Sequence, residues 1–167
     1  MAFTKMSDLL KAIPQIGQID WIGIRPVRKE RLKVVTEINI STDEGLENDH
    51  YSKKGGKRQI TLIQAEHLQV VASILGNAEA ISPLLTRRNI VVSGINLNAL
   101  KNQQFQLGED VVLEGTGYCH PCSRMETNLG AGGYNAMRGH GGITAKVIKG
   151  GKIKIGSQVR FISKETM

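Results

Sequence analysis

The sequence predicts a mainly β fold, an antiparallel sheet closed or partly open as a barrel, with two or three α-helices on its outside. Short apolar runs rich in β-branched residues recur along the chain, and glycine-containing turns separate them. Only "QAEHLQVVASILG" carries a long apolar stripe at helical spacing. The runs lie too close together for repeated βαβ crossovers, which favours an antiparallel barrel or sandwich over a doubly wound sheet.

The elements follow in chain order. "TKMSDLLKAI" sets Met6, Leu9, Leu10 and Ile13 at helical spacing and stops before Pro14. "GQIDWIGIRPV" and "LKVVTEINIST" alternate or run apolar, as strands do. "DHYSKKGGKRQ" is polar and glycine-bearing and reads as a loop. "RQITLI" is a strand, and the helix after it stacks Ala65, Leu68, Val71, Ala72 and Leu75 on one face and ends at Gly76. β structure then returns in "NIVVSGI", "QFQLGEDVVLEGTGY" and "GITAKVIKGGKIKIGSQVRFIS", with "KGG" as the expected hairpin connection. No repeat or linker interrupts the chain, so residues 1–167 are read as a single domain.

Composition narrows the function. With 167 residues and 40% apolar content the chain can bury a core. Its apolar runs are far shorter than the roughly 20 residues that span a bilayer, and the N-terminus has no h-region with a cleavage site, so a cytoplasmic protein without a membrane partner is expected. The formal net charge of +7 suits nucleic acid, an acidic surface or a phosphorylated ligand. Aromatic residues make up only 4%, which argues against the stacking platforms of a single-strand nucleic-acid binder and makes that partner the weakest of the three.

Both cysteines of the chain stand in "GYCHPCSRMETNLGAGGYNAMRGHGG". A C-x-x-C pair serves a zinc site, a dithiol couple or one reactive thiol, or is simply two small buried hydrophobes. Zinc would need two further ligands from His50, His67, His120 or His140, none of them at H-x3-5-H spacing. A thioredoxin-like centre would need a βαβ framework around it. Three basic segments stand at expected strand ends: Arg25, Arg28 and Lys29; Lys53, Lys54, Lys57 and Arg58; and Arg87, Arg88 and Asn89. Arginine offers a planar fork to phosphate oxygens, and Asn89 an amide donor, so the segments can converge on an anion or merely form a solvated basic surface. The glycine-rich stretch after the cysteines is expected to be an irregular loop, and Gly130, Gly132 and Asn135 do not fit the dinucleotide fingerprint.

The ordered series "IRPVRK", "EGLENDH", "KRQITLIQAEH", "LTRRNIVVSGINLNAL", "FQLGEDVVLEGTGYCHPCSRMET", "RGHGGITAKVI" and "GGKIKIGSQV" resembles the MOSC domain family, over most of the chain. The sequence departs from the family pattern at Asn48, where a glycine is usual, and at Ser157, where an aspartate often follows the glycine. The resemblance implies a MOSC-type β-barrel holding the pterin-based molybdenum cofactor (molybdopterin). It places the metal-binding and catalytic thiolate at Cys122 and the cofactor contacts at Arg28, Arg87 and Asn89. Asp49, His50 and Arg58 fall in matching motifs, where cofactor binding and loop anchoring both remain open; Cys119 and Arg138 receive no firm role, and His120 is a candidate proton donor. The activity implied is reduction of a small N-hydroxylated substrate with electrons from an external reductase. The alternative is a non-catalytic carrier or sulfur-transfer module for the same cofactor.

Overall fold

The computed structural model describes residues 5–27, 31–50 and 56–163. Its strands are β1 (Ile16–Ile24), β2 (Lys33–Val35), β3 (Glu37–Ser41), β4 (Gly45–Leu46), β5 (Ile60–Gln64), β6 (Ile90–Ser93), β7 (Gln104–Leu107), β8 (Val111–Tyr118), β9 (Ile143–Lys149), β10 (Gly151–Lys154) and β11 (Gln158–Ile162). The helices are α1 (Met6–Leu10), α2 (Ala65–Ile74), α3 (Arg124–Leu129) and α4 (Gly133–Met137).

Seven strands close into a barrel in the order β1, β11, β7, β8, β9, β5, β6 and back to β1. β1 makes the closure: it pairs with β11 from Ile16 to Gln18, with β6 from Gln18 to Ile22, and with β2 from Ile22 to Ile24. Its register on β6 shifts between Ile19 and Trp21, and a bulge of this kind bends a strand into barrel curvature. Gly17 allows the close crossing, because a Cβ there would lie 2.5 Å from the Ser93 carbonyl oxygen. The pairing is antiparallel except between β5 and β6, which run parallel through α2, so the barrel is mainly antiparallel, as the sequence suggested, with one parallel pair.

β5 and β6 separate two apolar clusters by strand alternation. Leu62, Ile90 and Val92 face the barrel interior with Ile19, Phe105 and Leu113. Ile63 and Val91 face outward beneath Leu68, Val71 and Ala72 of α2, Met125 of α3 and Met137 of α4. A one-residue slip would exchange the two sets, so burial on both faces fixes the register of these strands. The stripe expected on α2 is the one buried, and Gly76 follows that helix at φ +77°. The first helix forms but buries no residue, which leaves three helices packed on the barrel.

Two local expectations are corrected. "KGG" does not connect a hairpin: β10 leaves β9 and pairs with β3 in a second, three-stranded sheet, β10-β3-β4. Gly150 permits this change of sheet, since a Cβ there would strike the Ile40 carbonyl of β3. The glycine-rich stretch is not an irregular loop throughout, because it contains α4. The turn into that helix uses φ +90° at Gly130 and +86° at Gly132, and the Glu126 carboxylate accepts the Gly132 and Tyr134 amides at 3.1 Å each. Those backbone donors hold the Glu126 carboxyl below its ordinary range.

Candidate functional site

A cavity of about 290 Å³ opens where the chain leaves β1 at Arg25, enters β6 at Asn89 and leaves β8 at Cys119. Its wall includes Arg25, Arg58, Arg87 and Arg88, the thiol-bearing Cys119 and Cys122, His120, and Asp49 as its carboxylate. Among the described residues, four arginines and one carboxylate line it, which gives the cavity an excess of positive charge.

The floor is built of buried polar groups whose bonds run inside the protein. The Asn89 Oδ1 accepts the Thr61 amide at 3.1 Å and the Thr61 hydroxyl at 3.0 Å, while its Nδ2 donates to the Gly23 carbonyl at 3.1 Å and to Asp49 Oδ1 at 3.4 Å. The Asn89 amide in turn donates to Thr61 Oγ1 at 3.0 Å. Asp49, 4% exposed, accepts the Arg25 amide at 2.9 Å and so fixes the turn after β1. These side chains join three strand ends, and their amide and carboxylate dipoles are engaged with the protein.

Arg88, 6% exposed, spends its fork on carbonyls rather than on an anion. Its Nε donates to Gly141 at 2.8 Å, Nη1 to Thr86 at 3.0 Å, and Nη2 to Cys119 and His120 at 3.4 Å each. A Cβ at Gly141 would collide with the Cys119 carbonyl and lie 3.2 Å from Nη2, so the glycine is what lets these segments meet.

The rim differs. Arg58 is exposed and Arg87 is half-buried, and among the described residues neither side chain makes a hydrogen bond or ion pair. Arg87 has φ +62°, an unusual backbone conformation for a residue with a Cβ. Cys122 is exposed and Cys119 buried, so only the second thiol of the pair is open to solvent. The Cys122 carbonyl accepts the Met125 amide at 3.0 Å, which ties it to the start of α3.

Cys122, Arg58, Arg87, Asn89 and Asp49 are therefore brought together. His50 is not among the residues that form the cavity wall; its amide donates to the Arg25 carbonyl at 2.8 Å. Arg28, with Lys29, Lys53 and Lys54, lies outside the described residues. Arg138 is exposed and bonds Asn135 at 3.4 Å, away from the cavity wall. Sequence reasoning missed Thr61 altogether, although a lone hydroxyl within the apolar run "ITLI" was the available signal. It also gave Arg88 no role apart from its basic neighbours.

Among the described residues no three His, Cys, Asp or Glu side chains gather as a metal cage, so the four-ligand zinc alternative finds no support there. His67 and His140 instead pack edge to face on each other, with ring centroids 5.0 Å apart. One exposed thiol beside unpaired guanidinium groups suits a metal that arrives with its own ligands and an anionic tail, and the donor set fits a pterin-bound metal better than a bare dication.

A family model described as the MOSC domain matches residues 48–160. The fold is similar to that of the YUAD protein from Bacillus subtilis, at 18% identity over 88% of this chain and 96% of that one, with a TM-score of 0.75. It is also similar to YiiM from Escherichia coli, at 18% identity over 88% of this chain and 70% of that one, TM-score 0.65. YiiM from Geobacillus stearothermophilus gives 14% identity over 89% of this chain and 76% of that one, TM-score 0.69. At these identities the likeness speaks to the fold. A comparison of the sequence with curated proteins gives no match.

Proposed function

Because the chain belongs to the MOSC domain family, we propose that this cavity binds the pterin-based molybdenum cofactor and that the protein reduces N-hydroxylated compounds with electrons from an external reductase in the cytoplasm. The observation that carries the reading is the exposed Cys122 sharing one cavity with Arg58 and Arg87, whose forks have no partner among the described residues. When bound, the cofactor supplies the redox centre for cleaving an N–O bond. The chain supplies the rest. Cys122 Sγ is the soft ligand that holds the metal, and Arg58 and Arg87 pair the cofactor's phosphate. Asn89 and Asp49 shape the floor beneath it, and Arg25 and Arg88 add fixed positive charge behind the wall. His120 lines the same cavity, and we assign to it the proton delivered to the departing oxygen. Arg28 is assigned to the phosphate by the family resemblance alone, and His50 borders the site through its bond to Arg25. No described helix is long and apolar enough to cross a membrane.

The test expresses Cys122→Ala and Cys122→Ser beside wild type in a host that makes the cofactor. Molybdenum content and reduction of an N-hydroxylated base with a supplied reductase are then compared. Both variants are expected to lose bound molybdenum by roughly tenfold or more and to lose reduction with it. Activity retained in both removes Cys122 from the assignment. Wild type that carries cofactor but reduces nothing with any reductase favours a carrier.

A further inference from the structure

We infer that Arg88 is a positioning residue: its guanidinium is an internal clamp that sets the cysteine-bearing segment against Arg87, and it does not itself grip the ligand. Two adjacent arginines in "LTRRN" have been given opposite jobs by one backbone feature. Arg87 adopts φ +62° and its side chain stands at the cavity without a partner among the described residues. The next residue enters the wall and is buried.

The clamp is specific to a guanidinium. Its acceptors come from three separate places: the turn before β6 at Thr86, the segment after β8 at Cys119 and His120, and the glycines before β9 at Gly141. A lysine carries the same charge, but its three donor hydrogens share one nitrogen, which cannot stand at the separate positions from which Nε, Nη1 and Nη2 reach Gly141, Thr86 and Cys119. Besides Arg88, the Cys119 amide donates to the Gly142 carbonyl at 2.8 Å, so the segment before Cys122 depends on few ties. Loss of the clamp therefore frees Cys119 first, and through it the placement of Cys122.

The inference uses the proposed cofactor only for what the placement serves, so its test is made on the thiols of the cofactor-free full chain. Wild type is expected to offer one rapidly reacting thiol, Cys122, to a disulfide reagent under native conditions, with Cys119 reacting slowly. In Arg88→Met and Arg88→Lys, Cys119 is expected to react about 10- to 100-fold faster, the factor by which losing a charge-assisted hydrogen bond favours local opening. Hydrogen exchange in β7 and β11, on another part of the barrel, is expected to stay as in wild type. Cys119 protection unchanged in both variants overturns the clamp. So does a uniform loss of protection through β7 and β11, which would mean general destabilisation, and so does Arg88→Lys behaving as wild type, which would mean that charge alone suffices. Should neither variant fold, the wild-type chain decides. An Arg88 Nε proton that exchanges about 100-fold more slowly than those of exposed arginines supports the clamp, and one that exchanges equally fast overturns it. Failure of wild type to hold molybdenum would sink the cofactor reading and leave these thiol rates to be judged by themselves.

Discussion

The floor and the rim of the cavity are made from the same kinds of residue and obey different rules. On the floor Asn89, Asp49 and Arg88 are buried and bonded to the chain in several directions. On the rim Arg58 and Arg87 make no bond to a described residue, and Cys122 is open. Burial of a polar group is tolerable only when its hydrogen bonds are made inside, so floor residues are committed to the fold. Rim residues are solvated and lose little by exchanging water for a ligand. A basic cluster in a sequence is thus a mixture, and what separates its members is where their bonds already go.

Stability measurements can break this division. Asn89→Ala leaves the Thr61 amide and the Gly23 carbonyl without their partner and the Thr61 hydroxyl without its acceptor, and is expected to cost about 3 kcal/mol or more, roughly 6–12 °C in Tm. A cost below about 1 kcal/mol by denaturant unfolding would place Asn89 on the rim side after all. Next in size, Cys119→Ser puts a hydroxyl at a buried position and is expected to cost about 1–2 kcal/mol, whereas Cys122→Ser should stay within about 0.5 kcal/mol of wild type. Equal costs would erase the distinction between the two thiols. Arg87→Gly relieves the positive φ and should raise stability by about 0.5–1 kcal/mol while lowering cofactor retention, a split in sign that a floor residue cannot give.

The smallest effect concerns pH and a place outside the cavity. Burial, then repulsion from His140, lowers the His67 pKa below its ordinary 6.5. Between the lowered folded value and 6.5 the unfolded chain binds the proton more readily. Stability is therefore full above pH 6.5 and declines as pH falls through that value. Unfolding of His67→Gln followed between pH 5 and pH 8 is expected to show a flatter acid limb than wild type, and an unchanged limb would assign the decline to other groups.

The barrel was legible because alternation and β-branched runs write strands directly into the sequence, and the stripe on α2 did the same for its helix. α4 was not legible. Its turn is glycine-rich, and its amides are capped by Glu126, outside the helix itself, so no local propensity announces it. The second sheet was hidden for a related reason, since "KGG" has hairpin chemistry and only the approach of β3 diverts β10. At the site, the thiol and the arginines could be read as chemistry. That Asn89 would be spent on Thr61, and Arg88 on Gly141, depended on partners far along the chain and so on the fold being already known.

The closure made by β1 also sets a timetable. Ile16 pairs with Arg160, so the first residues of β1 find their β11 partner only once a strand 144 residues further along the chain is in place. Until then β1 presents an unzipped edge to the cell, and such an edge invites pairing with other chains. Assembly of the ring is accordingly governed by long-range loop closure rather than by the quick local steps that form α2.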